Sequence, residues 1–246
     1  MTQSAGKIDV FEKLKGDILS LQGFRTPSGS QRVDFGLGPV ESAFPNHIFP
    51  TGAVHEFLSD TAEDAAATSG FMAGLLGKLM GQAGACLWIS CKRTIFPPAL
   101  KIFGIEPDRV IFIDLVNKNE VLWAIEEALK CEVLSAVVGE LNEISFTESR
   151  RLQLAVERSR VTGFLHRNNL RIVNTLACVS RWKITQIGSE LDEDMPGVGF
   201  PRWQVTLQKV RNGEPGTWEF EWSAGRFQHL VVQKLSELKT HLQQTG

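Results

Sequence analysis

The 246-residue sequence contains no tyrosine, no Cys-x-x-Cys pair, no long uninterrupted apolar run and no marked excess of either charge. Each absence excludes something. Without tyrosine, and with most tryptophans on alternating strand-like stretches, a base-stacking platform for single-stranded nucleic acid is not expected. A net charge of −2 gives no general attraction to nucleic acid or to an anionic membrane. Cys86, Cys91, Cys131 and Cys178 lack metal-ligand spacing and read as reduced, mostly buried thiols. His47, His55, His166, His229 and His241 stand apart from one another, outside any H-E-x-x-H or G-x-S-x-G pattern, and read as surface or core histidines. The opening MTQSAGKIDVFEK has no apolar signal-type core, and Lys78, Gln82 and four glycines interrupt Gly70–Cys91. A cytoplasmic protein is expected.

What is present is an α/β pattern centred on Gly52–Met80. A short apolar strand, Ala53–Leu58, runs into a loop at Ser59–Thr61. A long Ala/Gly/Leu-rich helix follows, with Phe71, Leu75, Leu76, Leu79 and Met80 at helical spacing. Strand, loop and helix in this order open a P-loop nucleotide-binding unit. A phosphate cradle, however, needs G-x-x-x-x-G-K-[ST], so that backbone N–H groups wrap the anion and a lysine meets its charge. Residues 59–68 read SDTAEDAAAT, with neither glycine nor lysine. Thr61 and Asp64 fit a capping box, and Asp60 and Glu63 add negative charge at the helix end that would attract phosphate. A phosphate arriving there would lose its donors and meet carboxylates.

Around this unit, Ile8, Phe11, Leu14, Ile18 and Leu21 form the apolar stripe of an N-terminal amphipathic helix. A Gly/Ser/Pro/Arg stretch at 23–32 links it to the rest, giving a division into residues 1–33 and a core of 34–246. The stripe is a candidate partner-binding surface or a piece of the protein's own core. Strands are expected at Cys86–Cys91, Arg109–Leu115 and Val133–Leu141, with a proline-initiated helix at Pro97 and another capped by Asn117 and Glu120. A long helix over Thr147–Arg167 and a fifth strand at Leu170–Asn174 complete a mostly parallel sheet covered on both faces. Arg181–Ile187, Arg202–Val210 and Thr217–Trp222 alternate and predict an antiparallel extension with a hairpin. Leu230–Leu242 reads as a closing amphipathic helix. Arg150, Arg151, Arg158, Arg160, Arg167 and Arg171 scatter around the predicted long helix, with Glu148 and Glu157 among them. That reads as a solvated face rather than a nucleic-acid patch.

The ordered series FPTGAVHEF, CLWIS with the Pro97-Pro98 turn, VNKNEVLWAIEEAL, SRWKI and QVTLQKVRNGEPGTWEFEW resembles the ImuA family of RecA-related proteins over roughly residues 34–230. The resemblance implies a RecA-like core and allows its three functional positions to be checked. The phosphate-loop lysine and threonine would fall near Ala65 and Ala66. The water-activating glutamate would fall near Lys92 or Arg93, and the magnesium-linked aspartate at Gly139, with Glu140 next to it on the opposite strand face. Phosphoryl transfer rests on positioning and charge stabilisation, and none of the three parts is kept. No enzyme activity and no cofactor are expected. The resemblance further implies a non-enzymatic adaptor in SOS-type mutagenesis and translesion synthesis. Its partners would be an ImuB-like inactive Y-family polymerase homologue, an error-prone replicative-type polymerase and, as a further candidate, RecA; direct contact with DNA is left open. The alternatives are a nucleotide-dependent RecA-like DNA-binding protein and a SulA-like inhibitor of cell division.

Overall fold

The computed structural model describes residues 33–81, 84–168, 173–190 and 199–230. Nine strands form one sheet in the order β3-β2-β4-β5-β1-β6-β7-β8-β9. β1 (Val54–Ser59) lies between β5 (Thr162–Asn168) and β6 (Ser180–Ile187), parallel to both, and all six of its residues are buried. A strand covered on both faces shows no in–out alternation, and its polar residues His55, Glu56 and Ser59 are buried along with Val54, Phe57 and Leu58. β2 (Cys86–Ser90), β3 (Val110–Asp114) and β4 (Ala136–Glu140) extend the parallel part. β7 (Arg202–Val210), β8 (Gly216–Ser223) and β9 (Arg226–Leu230) extend the other side as antiparallel hairpins. The fold class is therefore the expected one, α/β with a mostly parallel sheet and an antiparallel C-terminal extension.

Helix α1 (Ala62–Met80) covers one face. Its Phe71, Met72, Leu75 and Leu76 join Phe57, Trp88, Phe164, Trp182 and Trp203 in the larger apolar cluster. Small residues let it approach closely: a Cβ on Gly74 would sit 2.9 Å from Trp222 and against Phe227. The glycine spacing in this helix thus serves packing against aromatic strands. Helices α2 (Lys118–Leu129) and α3 (Phe146–Ser159) cover the opposite face through Val121, Ile125, Leu129, Leu152 and Val156. Their starts are set by side chains. Asn117 Oδ1 accepts from the Glu120 N–H at 3.0 Å, and Ser145 with Glu148 closes a full capping box.

Three expectations are corrected. The predicted long helix ends at Ser159, and the fifth strand is Thr162–Asn168, not Leu170–Asn174; of the latter, Val173 and Asn174 are loop and 169–172 lie outside the described residues. The stop is Arg160, which adopts the left-handed conformation at φ 69° and donates its N–H to the Val156 carbonyl. Sequence reading expects glycine at such a stop. The glycine that complements it is Gly52 (φ 62°), where an added Cβ would lie 3.2 Å from the Arg160 Cα. Second, β6 is the junction of the two parts, antiparallel to β7 as expected but also parallel to β1. Third, only Cys86 and Cys178 are buried, whereas Cys91 and Cys131 are exposed. Burial pushes the Cys86 thiol up to about 12, so it stays protonated and inert. The stripe at residues 8–21 and the closing helix beyond Leu230 lie outside the described residues. Among the described residues, no helix is long and apolar enough to cross a membrane.

Candidate functional site

Parallel α/β sheets present their sites at the carboxyl ends of the strands. Here that edge is formed by the β1–α1 turn, the ends of β2, β3 and β4, and the end of β5. At the turn, Thr61 caps α1 by accepting from the Asp64 N–H at 3.1 Å. The Glu63 carboxyl is held below the usual carboxylate range by its own backbone N–H and by the Thr61 hydroxyl. Side chains of the helix thus use donors that a bound phosphate would need. Asp60 is turned aside to Lys183 at 2.6 Å. Ala65 and Ala66 sit a full turn inside the helix, and the Ala65 N–H is already bonded to the Thr61 carbonyl at 3.0 Å.

Behind the turn lies a buried polar row on the α1 face. The Ser59 hydroxyl lies 2.9 Å from both the Thr68 hydroxyl of α1 and His166 Nε2 of β5. His166 is 1% exposed and burial lowers its pKa to about 4, so the ring is neutral; its Nδ1 has no hydrogen-bond partner. Beside it in register, Glu140 accepts from Trp88 Nε1 at 2.6 Å. Burial raises the Glu140 pKa, the Trp88 hydrogen bond opposes this, and the Asp114 charge adds to it.

The two other sequence-derived positions fall on different sides. Lys92 is exposed past the end of β2, while its neighbour Arg93 pairs with Asp114 at 2.6 Å and lies 4.5 Å from the centre of the Phe112 ring. Gly139 faces α2, where a methyl group would collide with Ile125. An acid at 139 would therefore point into the apolar core, and Glu140 is the β4 acid on the α1 face. The structure thus gathers the β1–α1 turn with Glu140 and Arg93 at one edge and leaves Gly139 out of that grouping.

Two features were not singled out from sequence. The first is a buried ion cluster on the opposite face. Glu56 of β1, 1% exposed, receives Arg167 at 2.5 Å and Arg181 at 2.6 Å. Arg167 also donates to the Asn142 carbonyl and to Asn174 Oδ1, and Asn174 donates to the Ile144 carbonyl. One carboxylate thereby ties together the connections after β4 and β5. Arg167, expected on a solvated helix, is a buried strand residue. The signal for the cluster was a glutamate inside a buried central strand, which is costly unless paired. The second is an open cleft of about 820 Å³ beside α1, lined among others by Thr61, Ala66, Phe96, Phe103, Arg202 and Trp203. Among the described residues, no cluster of three or more metal-ligating side chains occurs.

No family model matches the chain. Over 208 residues it is 33% identical to Protein ImuA of Caulobacter vibrioides, in strain NA1000 / CB15N and in strain ATCC 19089 / CIP 103742 / CB 15, covering 80% of this chain and 84% of the relative. With that identity spread over most of both sequences, the chain belongs to the ImuA family.

Proposed function

We propose that this protein is a non-catalytic adaptor in DNA-damage-induced mutagenesis, a RecA-like scaffold that binds no nucleotide and bridges polymerase-type proteins in the cytoplasm. The observation that carries the reading is the state of the β1–α1 turn: the N–H groups a phosphate would use serve Thr61 and Glu63, and carboxylates stand where a lysine would be needed. The strand order, with a helix directly after the central β1, supports the RecA-like assignment. Family membership supports the pathway. The cation at Arg93, locked onto Asp114, supports the loss of the water-activating acid. Isothermal titration with millimolar Mg-ATP is expected to give no binding tighter than about 100 μM, equivalent to roughly 5.5 kcal/mol. A tighter constant overturns the nucleotide-free reading.

In this proposal the partners are an ImuB-like inactive polymerase homologue and an error-prone replicative-type polymerase, with RecA as a third. The contact is carried by the stripe Ile8, Phe11, Leu14, Ile18 and Leu21, whose burial contributes about 1.5–3 kcal/mol per large side chain before ordering costs. Pull-down from DNA-damaged cells is expected to recover the polymerase set with the parent chain and to lose it with Phe11→Asp/Leu14→Asp, at unchanged melting temperature. Recovery of a tubulin-like division protein instead would favour a division inhibitor.

A further inference from the structure

The cleft beside α1 has an apolar end and a polar end. At the apolar end the helix already touches aromatic rings: a Cβ added at Gly70 would lie 3.2 Å from Trp203 and 3.4 Å from Phe103. Those two rings lie 26° from parallel and close the floor. From Gly70 the wall continues along α1 through Ala66 and Ala62, one turn apart, with nothing larger than a methyl group at either. Phe96, 68% exposed, stands on the opposite rim. At the polar end the β1–α1 turn and the carboxyl ends of β5 and β6 supply Thr61, Asn168 and Gln186. Asn168 is in register with Ser59, whose hydroxyl meets Thr68 of α1, so its side chain is on the α1 face of the sheet. Its Oδ1 is buried and has no hydrogen-bond partner. A buried acceptor left unpaired is costly, and a donor brought by a ligand removes that cost. The volume of about 820 Å³ suits a small molecule.

The charges of the lining are already matched. Among the described residues they are Glu63 and Arg202. Arg202 is held by Glu221 at 2.7 Å and by Glu190 at 2.8 Å. The Glu63 carboxyl accepts from its own backbone N–H and from the Thr61 hydroxyl. An anion entering the polar end would meet Glu63, and a cation at the mouth would meet the Arg202 guanidinium. Only an uncharged molecule meets no opposing charge, and only one with a donor satisfies Asn168. We infer that the cleft is a binding site for an uncharged, mainly aromatic small molecule that carries one N–H or O–H donor. Its rings lie between the alanine wall of α1 and the pair Phe103 and Trp203, and its donor reaches Asn168 Oδ1. From Ala62 to Gly70 the wall is about 12 Å long at 1.5 Å per residue, long enough for a molecule of about three rings. Binding there is independent of the adaptor reading: the same sheet edge that turns phosphate away keeps a place for a neutral ligand.

Three probes that differ by one group test the site on the full chain. N-phenylnaphthylamine is uncharged and has one N–H, phenoxynaphthalene replaces that N–H by an ether oxygen, and anilinonaphthalene sulfonate adds a negative charge. Fluorescence titration is expected to give saturable one-to-one binding of N-phenylnaphthylamine, with a Kd of about 10 μM. By competition, phenoxynaphthalene is expected to bind about tenfold more weakly, and Asn168→Leu to abolish that difference by weakening the N–H probe alone. The sulfonate is expected to bind at least about tenfold more weakly than the neutral parent probe. Ala66 is exposed, so Ala66→Phe fills the cleft without entering the core, and should weaken both neutral probes more than about tenfold at unchanged melting temperature. Ala62→Phe, at the next exposed position of the wall, replaces it if Ala66→Phe melts lower. Absence of saturable binding, binding that survives a filled cleft, or a sulfonate that binds as tightly as the neutral probe overturns the inference. Equal affinity of the parent for the two neutral probes removes Asn168 from the site and also overturns it. Tight Mg-ATP binding would overturn the nucleotide-free reading and leave these outcomes unaffected.

Discussion

Acidification from pH 6.5 to pH 4 is expected to remove about 6 kcal/mol of folding stability, through two histidines that are buried uncharged. His55 is fully buried beneath Phe49, with ring centres 4.5 Å apart, and burial lowers its pKa to about 4 against an opposing hydrogen bond to the Pro50 carbonyl. Its surroundings define the neutral tautomer. Nε2–H donates to the Pro50 carbonyl at 2.7 Å, and Nδ1 accepts from the Ser180 hydroxyl at 2.6 Å, which itself accepts from Trp182 Nε1 at 2.7 Å. A second proton on His55 breaks that chain of bonds. His166 is lowered to about 4 by burial alone.

Both groups are bases whose folded pKa lies below the ordinary 6.5, so their contribution is complete above pH 6.5 and is lost as the pH falls towards 4. Each shift, 6.5 − 4, corresponds to about 3 kcal/mol at 1.36 kcal/mol per unit. Glu140 acts in the opposite direction: its raised pKa lets it take up a proton in the folded state sooner than in the unfolded one, which offsets part of the loss. A domain at the lower end of the ordinary stability range of about 5–15 kcal/mol would be near its unfolding midpoint at pH 4. Urea denaturation at pH 7, 5.5 and 4 measures the effect. His166→Leu should remove about half of the pH dependence, and a flat profile in the parent would show that neither ring is held neutral.

Replacing Glu56 by alanine is expected to cost about 3–5 kcal/mol, because Arg167 and Arg181 would keep buried charge without a counter-ion. The guanidinium groups lie 2.5 and 2.6 Å from its two carboxylate oxygens, and Arg167 is itself 1% exposed. The damage should spread along the hydrogen bonds to Asn142, Asn174 and Ile144, loosening the connections after β4 and β5 while β1 stays paired. Denaturant midpoints give the energy, and hydrogen exchange over 141–146 and 173–178 gives the location. The triple variant Glu56→Leu/Arg167→Met/Arg181→Met should recover most of the loss, since an apolar replacement of a buried ion set removes the desolvation cost along with the attraction. A loss below about 1 kcal/mol for Glu56→Ala would mean the cluster is hydrated rather than buried.

The parts of this protein legible in its sequence are those set by local chemistry. Mainly apolar stretches of six to nine residues gave β1 to β4, and alternation gave the β7–β8 hairpin. Asn117 and Thr61 marked helix starts through the oxygen each offers to an N–H three residues on. The departure of residues 59–68 from a phosphate-cradle motif was also legible, because the stretch contains neither glycine nor lysine.

What tertiary structure decided depends on partners distant in sequence. Arg160 ends a helix without glycine because the Gly52 segment packs against its backbone, and that contact crosses more than a hundred positions. Arg167 lies in a strand rather than on a helix face because Glu56 supplies the charge that lets it be buried there. Gly139 and Glu140 differ by one residue, yet only the side of β4 taken by α1 and by α2 determines which of them faces the β1–α1 turn. The aromatic cleft is assembled from α1, the Pro97 turn and β7, three stretches whose adjacency no local pattern encodes. Local pattern fixes the state of the backbone, but the surroundings of a side chain come from the packing of strands and helices far apart in the chain.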